Sequence, residues 1–543
     1  MKKAFLVLLS LTMLMGCFAG CSLRDDPSGG EGDYSDRPVK ITFSYYKGGF
    51  GIEWLEAVTK DYMDNINTDV YIELKASSDN AIAKNNIVSD VGIADLYQIE
   101  YDMFNLANSL EDLSDVYEMN VYGEEVKVRD KVPQVALDYY EENGTYYQLS
   151  LNRMTGWNWV YNKTVLDNAL GAGKYRLPRT TDEFLLLGDQ LYSKGVFLTA
   201  GALADVQGGE YLHYTFDGWF AQMLGLEKNE RYFDGYTQNS AGEWVFCRDN
   251  PQMIEDNRSS IEAVYTLAEN LLRKTTSEPQ YLHKDSVSME YKDLDKVFYG
   301  GKFKRQQVPR FAFAYIGEWL EREVEVFFED GSLTDRNQEI YVMKMPVISA
   351  IRSRTPSIKD DTVLATVVDY VDGVTDTKPV GVTDADVEIV REARNIVVEN
   401  LCNQLVIPKN AKNKETTKQF IAYLCSDRAQ KIAAQATSGI AILPFGYKPT
   451  DEDMGFAISP FIRSVQQVTG EAELVNSSHL NQRLAVAANL TWYYDNKNPA
   501  RTIAKDIHSG SYTPVSGIYQ STYDYFNRNW ENFLQNYDNM MNK

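Results

Sequence analysis

The fold is set by the stretch from residue 39 to residue 74, which reads VKITFSYYKGGFGIEWLEAVTKDYMDNINTDVYIEL. Residues 39–45 alternate between apolar and polar side chains, and this alternation predicts a β-strand. Apolar residues then recur at helical spacing between 55 and 66, which predicts an amphipathic helix. Residues 70–74 and 93–99 are typical of two further strands. Strands that alternate with helices indicate an α/β sheet rather than a helical bundle or a sandwich.

Length and composition narrow the class of protein further. The chain has 543 residues, which exceeds the usual size of one domain and predicts two or more lobes. Its net charge of −23 argues against a nucleic-acid partner and against binding to an anionic membrane surface. It has four His and five Cys, too few for a His-rich metal site or a disulfide scaffold. We therefore expect no metal, no cofactor and no nucleic acid.

The N-terminus indicates export. Residues 1–20 begin with two lysines and continue with a short apolar run, which is too short to span a bilayer comfortably. The run ends in small residues followed by Cys17 and then Cys21, and it resembles a bacterial lipoprotein signal. Such a signal implies lipidation of Cys21, or of Cys17 in the alternative register; a secretory signal cleaved elsewhere is the third possibility. Residues 21–37 are polar and Gly-rich, which predicts a flexible tether between a lipid anchor in the cell membrane and an extracytoplasmic domain.

The rest of the chain continues the alternation of strands and helices. Residues 144–161 predict two strands separated by a polar turn at 152–156. Further strands are predicted at 311–315, 340–348 and 405–408. Helices are predicted at 182–194, 252–273, 384–400 and 523–537, the third of them capped by Thr383 or Asp384, so that the C-terminus is rich in helix.

The candidate binding residues are aromatic and polar side chains near predicted strand ends and turns, where α/β folds place ligands. A flat aromatic face suits the C–H face of a sugar ring, while neighbouring polar groups bind its hydroxyls. For each aromatic residue the alternative is a place in the hydrophobic core. The aromatic candidates are Tyr46, Phe50, Trp157, Trp219 and Trp319, and the polar candidates are Glu100, Arg153, Thr155 and Glu318.

Catalytic motifs are absent from the sequence. It contains no HExxH, no phosphate-binding Gly-rich loop with its lysine and no GxSxG. The acidic segment 321–325 could supply the paired carboxylates of a glycosidase, but alternating charges on the edge of a strand explain it more simply. The sequence therefore nominates no catalytic residue.

Several segments, in order along the chain, form a recognisable set. They are GGFGIEWL at 48–55, YYQL at 146–149, VYNK at 160–163, GEW at 317–319, VIPKN at 406–410, FIAYL at 420–424 and the Gly-to-Pro stretch at 439–444. Together these segments resemble family 1 of the extracellular solute-binding proteins, the sugar-binding lipoproteins of ABC importers. One departure is Ser150, which stands where the family usually has proline, and another is a longer segment at 349–395.

This resemblance implies a two-lobed periplasmic-binding-protein-like fold with a carbohydrate ligand, an oligosaccharide, between the lobes. Residues 38–143 and 404–446 would form one lobe, and residues 144–403 and 447–543 the other. The resemblance further implies a monomer that closes on its sugar and then docks on membrane permease subunits, with the ATPase on another chain. Two other classes remain open: a secreted glycan-degrading enzyme and a helical glycan-capture lipoprotein.

Overall fold

The structure is a computed structural model, and it describes residues 34–541 apart from 47–48, 78–79, 90, 100–105, 143, 205–208, 273–279, 471, 477–483, 486–501, 503–505, 507–508 and 510. Strands and helices alternate through the described residues, which confirms the predicted α/β fold. The strands are β1 (Val39–Tyr46), β2 (Val70–Ser77), β3 (Leu96–Ile99), β4 (Glu141–Glu142), β5 (Thr145–Tyr146), β6 (Leu149–Asn162), β7 (Phe197–Thr199), β8 (Tyr236–Gln238), β9 (Trp244–Phe246), β10 (Phe311–Ile316), β11 (Ile340–Met343), β12 (Ile396–Val406) and β13 (Glu473–Asn476).

Helices alternate with the strands and predominate among the described residues after β12. The helices are α1 (Glu53–Asp61), α2 (Asn80–Val88), α3 (Ser114–Glu118), α4 (Val128–Lys131), α5 (Gln134–Tyr140), α6 (Lys163–Leu170), α7 (Thr181–Tyr192), α8 (Gly209–Leu224), α9 (Leu226–Phe233), α10 (Gln252–Asp256), α11 (Arg258–Leu272), α12 (Tyr291–Phe298), α13 (Leu320–Glu329), α14 (Asp361–Val371), α15 (Asp384–Asn395), α16 (Lys414–Leu424), α17 (Asp427–Ala436), α18 (Asp451–Met454), α19 (Pro460–Thr469) and α20 (Val515–Met541). Single helical turns lie at Tyr62–Ile66, Ala107–Ser109, Ser286–Ser288 and Ser349–Ser353.

The main sheet runs in the order β2-β1-β3-β12-β6-β10-β7, with β11 also paired to β6 and β13 to β12. At one end, β1 pairs in parallel with both β2 and β3. At the other end, β10 pairs in parallel with β7 and antiparallel with β6. The two ends are the sheets of a first and a second lobe, and the long strands β6 and β12 run from one to the other.

The pairing of β6 with β12 corrects one prediction. The sequence predicts a polar turn at 152–156, but β6 passes through this segment as one strand. The prediction is wrong because β12, which lies far along the chain, supplies a partner strand there, from Cys402 opposite Asn152 to Val398 opposite Trp157. The pairing contains a register shift near Val398, so the crossing between the lobes is a bulged antiparallel ribbon.

Two helices from the later part of the sequence, α16 and α17, pack against the first lobe. Phe420 of α16 packs edge-on against Phe43 of β1, with ring centroids 6.4 Å apart. Arg428 of α17 donates a hydrogen bond of 2.6 Å to Asp61 at the end of α1. The chain therefore returns to the first lobe after β12.

The second lobe is centred on Trp159 of β6. Its ring lies 4.8 Å from Phe184 of α7 and 5.7 Å from Tyr315 of β10, both at steep angles. Edge-to-face pairs of this kind stabilise a core beyond the area that they bury. The backbone amide of Val342 on β11 donates to Ser464 of α19, which attaches the C-terminal helices to the same sheet.

Four other element predictions differ from the structure. The strand predicted for 340–348 ends at Met343. The helix predicted for 384–400 ends at Asn395, because the β-branched residues that follow enter β12, although Thr383 does cap it by accepting from Asp386 N. The helix predicted for 252–273 is divided at Asn257 into α10 and α11. Segment 321–325, predicted as a strand edge, lies in α13.

The N-terminal predictions fall mostly outside the described residues. These include the signal peptide at 1–20 and both candidate lipidation sites, Cys17 and Cys21. The end of the predicted tether is described, and it is held on the first lobe: Arg37 donates to the backbone oxygens of Met63 at 2.6 Å and Val70 at 2.8 Å. None of the helices in the described part of the chain combines the length and apolar character needed to span a membrane.

Candidate functional site

The two lobes touch where β1 and β10 end. Residues 49–53 follow β1 in the first lobe, and residues 319–323 follow β10 in the second. We call these two segments together the interlobe seam. Ligands of α/β proteins bind beyond the carboxyl ends of strands, so the seam borders the expected ligand position.

An aromatic pair forms the centre of the seam. Phe50 and Trp319 meet edge to face, with ring centroids 5.9 Å apart and an interplanar angle of 89°. Each of the two side chains is only 4% exposed. The contact therefore covers both rings and joins the lobes directly.

Two glycines allow this close approach. A Cβ on Gly317 would lie 2.1 Å from Cη2 of Trp319, so the indole folds back over the Gly317 backbone. A Cβ on Gly49 would lie 3.2 Å from Cδ1 of the same indole and 3.0 Å from Oε1 of Glu323. Residues with side chains would force the indole, or the lobes, apart.

An ion pair lies at the rim of the seam. Arg322 Nη2 donates to Glu53 Oε2 across the lobes. Partial burial disfavours the charge on Glu53, but hydrogen bonds from its own and the Ile52 backbone amide and the charge of Arg322 outweigh that effect and lower its pKa. Gly51 has φ +73°, and a Cβ there would come within 2.8 Å of Arg322 Nη2, so glycine is required for the turn beside this pair.

Carboxyl groups are concentrated beneath the seam. Asp295 of α12 is 0% exposed, and burial, together with the neighbouring Glu323 carboxyl, raises its pKa well above the usual value. Burial likewise raises the pKa of Glu323. Two adjacent carboxyls in the interior do not both ionise readily, so this pair retains a proton. Glu321 is a third acid with a pKa raised by burial, and it accepts a 2.7 Å hydrogen bond from Ser459.

Of the residues predicted from sequence, four lie at or beside the seam. Phe50 and Trp319 form its centre. Glu318 is buried directly before Trp319. Tyr46 ends β1, and its backbone amide donates to the buried side chain of Gln98 at 3.3 Å.

Trp219 lies elsewhere. Its indole is 0% exposed, donates to the backbone oxygen of Pro346 at 3.0 Å and packs 6.1 Å from Trp159. The hydrophobic neighbours and the satisfied N–H give this residue a structural role in the second lobe. We therefore leave Trp219 out of the site.

The other predictions concern residues whose side chains are outside the description. Arg153, Thr155 and Trp157 lie on β6 where it crosses between the lobes, and only their backbone is described. Glu100 lies outside the described residues, immediately after β3. No group of three or more His, Cys, Asp or Glu side chains converges on a possible metal position within the described ranges.

Sequence reasoning missed several members of the seam. In the sequence, Gly49 and Gly51 are noted only within the segment 48–55, and Arg322 and Glu323 only as part of a run of alternating charges. A helical reading of 320–329 would have placed Arg322 one turn from Trp319 and on the same face. No sequence signal pairs Asp295 with Glu323, because tertiary packing alone brings them together.

A cavity of about 460 Å³ opens in the second lobe, away from the seam. The charged side chains that line it form ion pairs with one another. Arg394 pairs with Asp372 at 2.8 Å, and Arg176 and Arg179 both pair with Asp369. Arg179 also pairs with Glu183, so each of these charged groups is held in an ion pair within the protein.

Comparison with known proteins gives structural matches only. No protein-family model matches the chain, and neither does any curated protein. Apo RafE from Streptococcus pneumoniae shares 16% identity, covers 91% of this chain and 98% of its own, and superposes with a TM-score of 0.57. The GacH receptor of Streptomyces glaucescens, solved unliganded and with acarbose, shares 14% identity over 90% of this chain and 97% of its own, with a TM-score of 0.54. The chain has the fold of these two-lobed binding proteins.

The same fold occurs in an ABC substrate-binding protein, Lmo0181 from Listeria monocytogenes, which was solved with cycloalternan. It shares 13% identity over 91% of this chain and 99% of its own, with a TM-score of 0.53. The fold match extends over nearly the whole chain, which agrees with the two lobes and crossing strands described above.

Proposed function

We propose that this protein is the extracytoplasmic substrate-binding component of an ABC importer that captures an oligosaccharide between its lobes. The observation that carries the proposal is the two-lobed fold, which is shared over about nine-tenths of the chain with proteins solved with raffinose, acarbose and cycloalternan. The aromatic and polar side chains at the strand ends supply the chemistry that such a ligand needs.

Capture would work by closure of the lobes. The ribbon of β6 and β12 connects the lobes and is the natural hinge, because a bulged two-stranded crossing bends more easily than a packed sheet. A sugar that contacts both lobes binds the closed form better and shifts the equilibrium toward it. The closed form then delivers the sugar to permease subunits in the membrane.

We propose a ligand site made of residues from both lobes and from the crossing. Tyr46 and Phe50 would contribute from the first lobe, together with Glu100 after β3. Glu318 and Trp319 would contribute from the second lobe. From the crossing strand β6 we propose Arg153, Thr155 and Trp157, since a side chain between the lobes can contact a ligand in the cleft.

We also propose the division of the chain into lobes. The first would comprise residues 38–143 and a second segment that starts within β12 and extends past the sequence-based limit of 446. Support for the extension comes from Tyr447, whose amide donates to Gln430 of α17, and from Asp453, which pairs with Lys431 at 3.1 Å. The remaining residues would form the second lobe. The protein would act as a monomer, held to the cell membrane by a lipid on Cys21 or Cys17.

A thermal-shift screen tests the function. The purified protein is heated in parallel with raffinose, acarbose, cycloalternan, malto-oligosaccharides and chitin oligosaccharides, and with amino acids and peptides as the contrasting ligand classes. A ligand at 100 times its dissociation constant stabilises the folded state by about 2.7 kcal/mol, which is a shift of several degrees. If no oligosaccharide raises the melting temperature, and amino acids or peptides do, the proposed ligand class is wrong.

A turnover assay separates binding from catalysis. A labelled oligosaccharide that binds in the screen is incubated with the protein and analysed for shorter products. We expect stoichiometric binding without products. Time-dependent shortening that is proportional to protein concentration would instead indicate a glycan-degrading enzyme.

A further inference from the structure

The interlobe seam joins protein atoms to protein atoms. Phe50 meets Trp319, and Glu53 meets Arg322, each pair with one member on either lobe. Glu53 and Arg322 lie outside the proposed ligand site, so their ion pair strengthens closure to the same degree for every ligand in the cleft.

The geometry of the seam concentrates the two contacts on one face. Residues 319 and 322 lie at the start of α13, three positions apart, and so point in the same direction. Residues 50 and 53 flank the start of α1 in the first lobe. The aromatic pair is buried and the ion pair borders it at the surface, where Glu53 remains 58% exposed and Arg322 29%. Closure therefore seals a hydrophobic contact behind a charged rim.

The seam lies at a distance from the hinge strands, so rotation of the lobes about the hinge moves its two sides apart. Strand β1 lies two positions in the sheet from β12, the nearer of the two crossing strands, which is roughly 10 Å at the usual strand spacing. A contact at that distance breaks when the lobes rotate apart, while the pairing of β6 with β12 persists. The seam thus distinguishes the closed form from the open form.

We propose that the interlobe seam is a built-in latch, in which Glu53 and Arg322 help to hold the lobes closed independently of the sugar. This inference rests on the open–closed cycle of the proposed function. The latch makes the closed form a substantial part of the population of the protein by itself.

Single-molecule FRET on the full mature chain tests the latch with no sugar added. Donor and acceptor dyes are placed on Thr68→Cys in the first lobe and Glu329→Cys in the second, two exposed positions outside the seam. The same protein without these substitutions measures background labelling of native thiols, of which Cys247 and Cys425 are buried. We expect two FRET populations, whose ratio reports the closed and open forms.

Charge reversal then identifies the ion pair. Glu53→Arg and Arg322→Glu should each lower the ratio of closed to open molecules by roughly two- to five-fold, and the double exchange should restore it. Glu53→Gln should lower the ratio of closed to open molecules by less, because it removes the charge without reversing it. The matched control is Arg248→Glu, which breaks an exposed ion pair within the second lobe, where Arg248 lies 2.8 Å from Asp538. This substitution changes the net charge by the same amount as Arg322→Glu. It should leave the ratio of closed to open molecules unchanged.

Three outcomes would overturn the proposal. The first is that the protein with an unchanged seam shows only the open population. The others are that the single charge reversals change the closed-to-open ratio no more than Arg248→Glu does, or that the double exchange does not restore this ratio. The melting temperatures of all variants confirm that each is folded. Because no sugar enters this experiment, its failure leaves the oligosaccharide screen standing. A failed screen with an intact latch would contradict the proposed function alone.

Discussion

Replacing Gly49 by alanine separates closure from folding more sharply than any other single change in the seam. The new Cβ would lie 3.0 Å from Glu323 Oε1 and 3.2 Å from two atoms of the Trp319 indole, whereas comfortable contacts between heavy atoms are about 3.5–4.0 Å. Overpacking in a closed core costs about 1–3 kcal/mol. Because the lobes can separate slightly at the hinge, we take the lower end, about 1 kcal/mol, which is about five-fold in affinity.

The unliganded melting temperature should behave differently. Gly49 has a backbone conformation that alanine also adopts, and its obstructing neighbours all belong to the other lobe. The substitution restricts the unfolded chain and so should raise the stability of the first lobe by about 0.4–1 kcal/mol. Weaker binding together with an unchanged or higher melting temperature is therefore the expected pattern for Gly49→Ala.

Isothermal titration calorimetry with the oligosaccharide that the screen identifies measures the affinity, and differential scanning calorimetry measures the melting temperature. Gly92→Ala is the matched control, because its Cβ would make only one ordinary contact, 3.7 Å from Asn410 Nδ2. Parent-like affinity in Gly49→Ala would show that the seam stays open in the bound form. A lowered melting temperature would show that the glycine is needed for the first lobe to fold.

Three further predictions concern other parts of the molecule. Trp219→Ala should lower the free energy of unfolding by about 3–5 kcal/mol in urea titrations and spare the sugar affinity of the folded fraction, since its indole is fully buried; normal stability would contradict its core role. Burial and the Glu323 carboxyl raise the pKa of Asp295, so the stability that the protonated pair contributes is fully present below about pH 4 and is lost as pH rises through the raised pKa. Asp295→Asn should accordingly gain stability relative to the parent as pH increases from about 4 to 8 in urea unfolding, and a constant difference would refute the shared proton. Changing both Cys17 and Cys21 to serine should release the protein from the membrane fraction; retention there would exclude lipid anchoring at either residue.

Local patterns in the sequence were sufficient for the elements of the first lobe. Strand β1, helix α1 and strand β2 follow from periodicity within residues 39–74, because each buries one face against its sequence neighbours. The crossing strands could not be predicted in the same way. Residues 152–156 are polar enough to be mistaken for a turn, and only pairing with β12 makes them a strand. Tertiary context overrides local propensity at this point.

The candidate site, like the fold, was only partly predictable from local sequence. The sequence predicts Trp319 as a ligand contact because it lies near the end of a predicted strand, and the structure puts it at the seam between the lobes. Trp219 carries a similar aromatic signal, yet it lies on the inward face of α8, where it contacts Trp159. Which face of a helix turns inward depends on the sheet beneath it. Aromatic residues near predicted strand ends therefore indicate candidate positions for the ligand site, while tertiary packing determines which of them can contact a ligand.

Contacts between the lobes and contacts with the sugar affect affinity in different ways. The apparent dissociation constant is the intrinsic constant divided by the fraction of molecules in the binding-competent form. The Glu53–Arg322 ion pair changes that fraction, so a substitution in this pair scales the affinity for every sugar by one common factor. A residue that hydrogen-bonds a hydroxyl changes the intrinsic constant for some sugars and not for others. The ratio of affinities between two oligosaccharides is therefore set by the ligand-contacting residues, whereas the Glu53–Arg322 pair changes the affinities for all of them by the same factor.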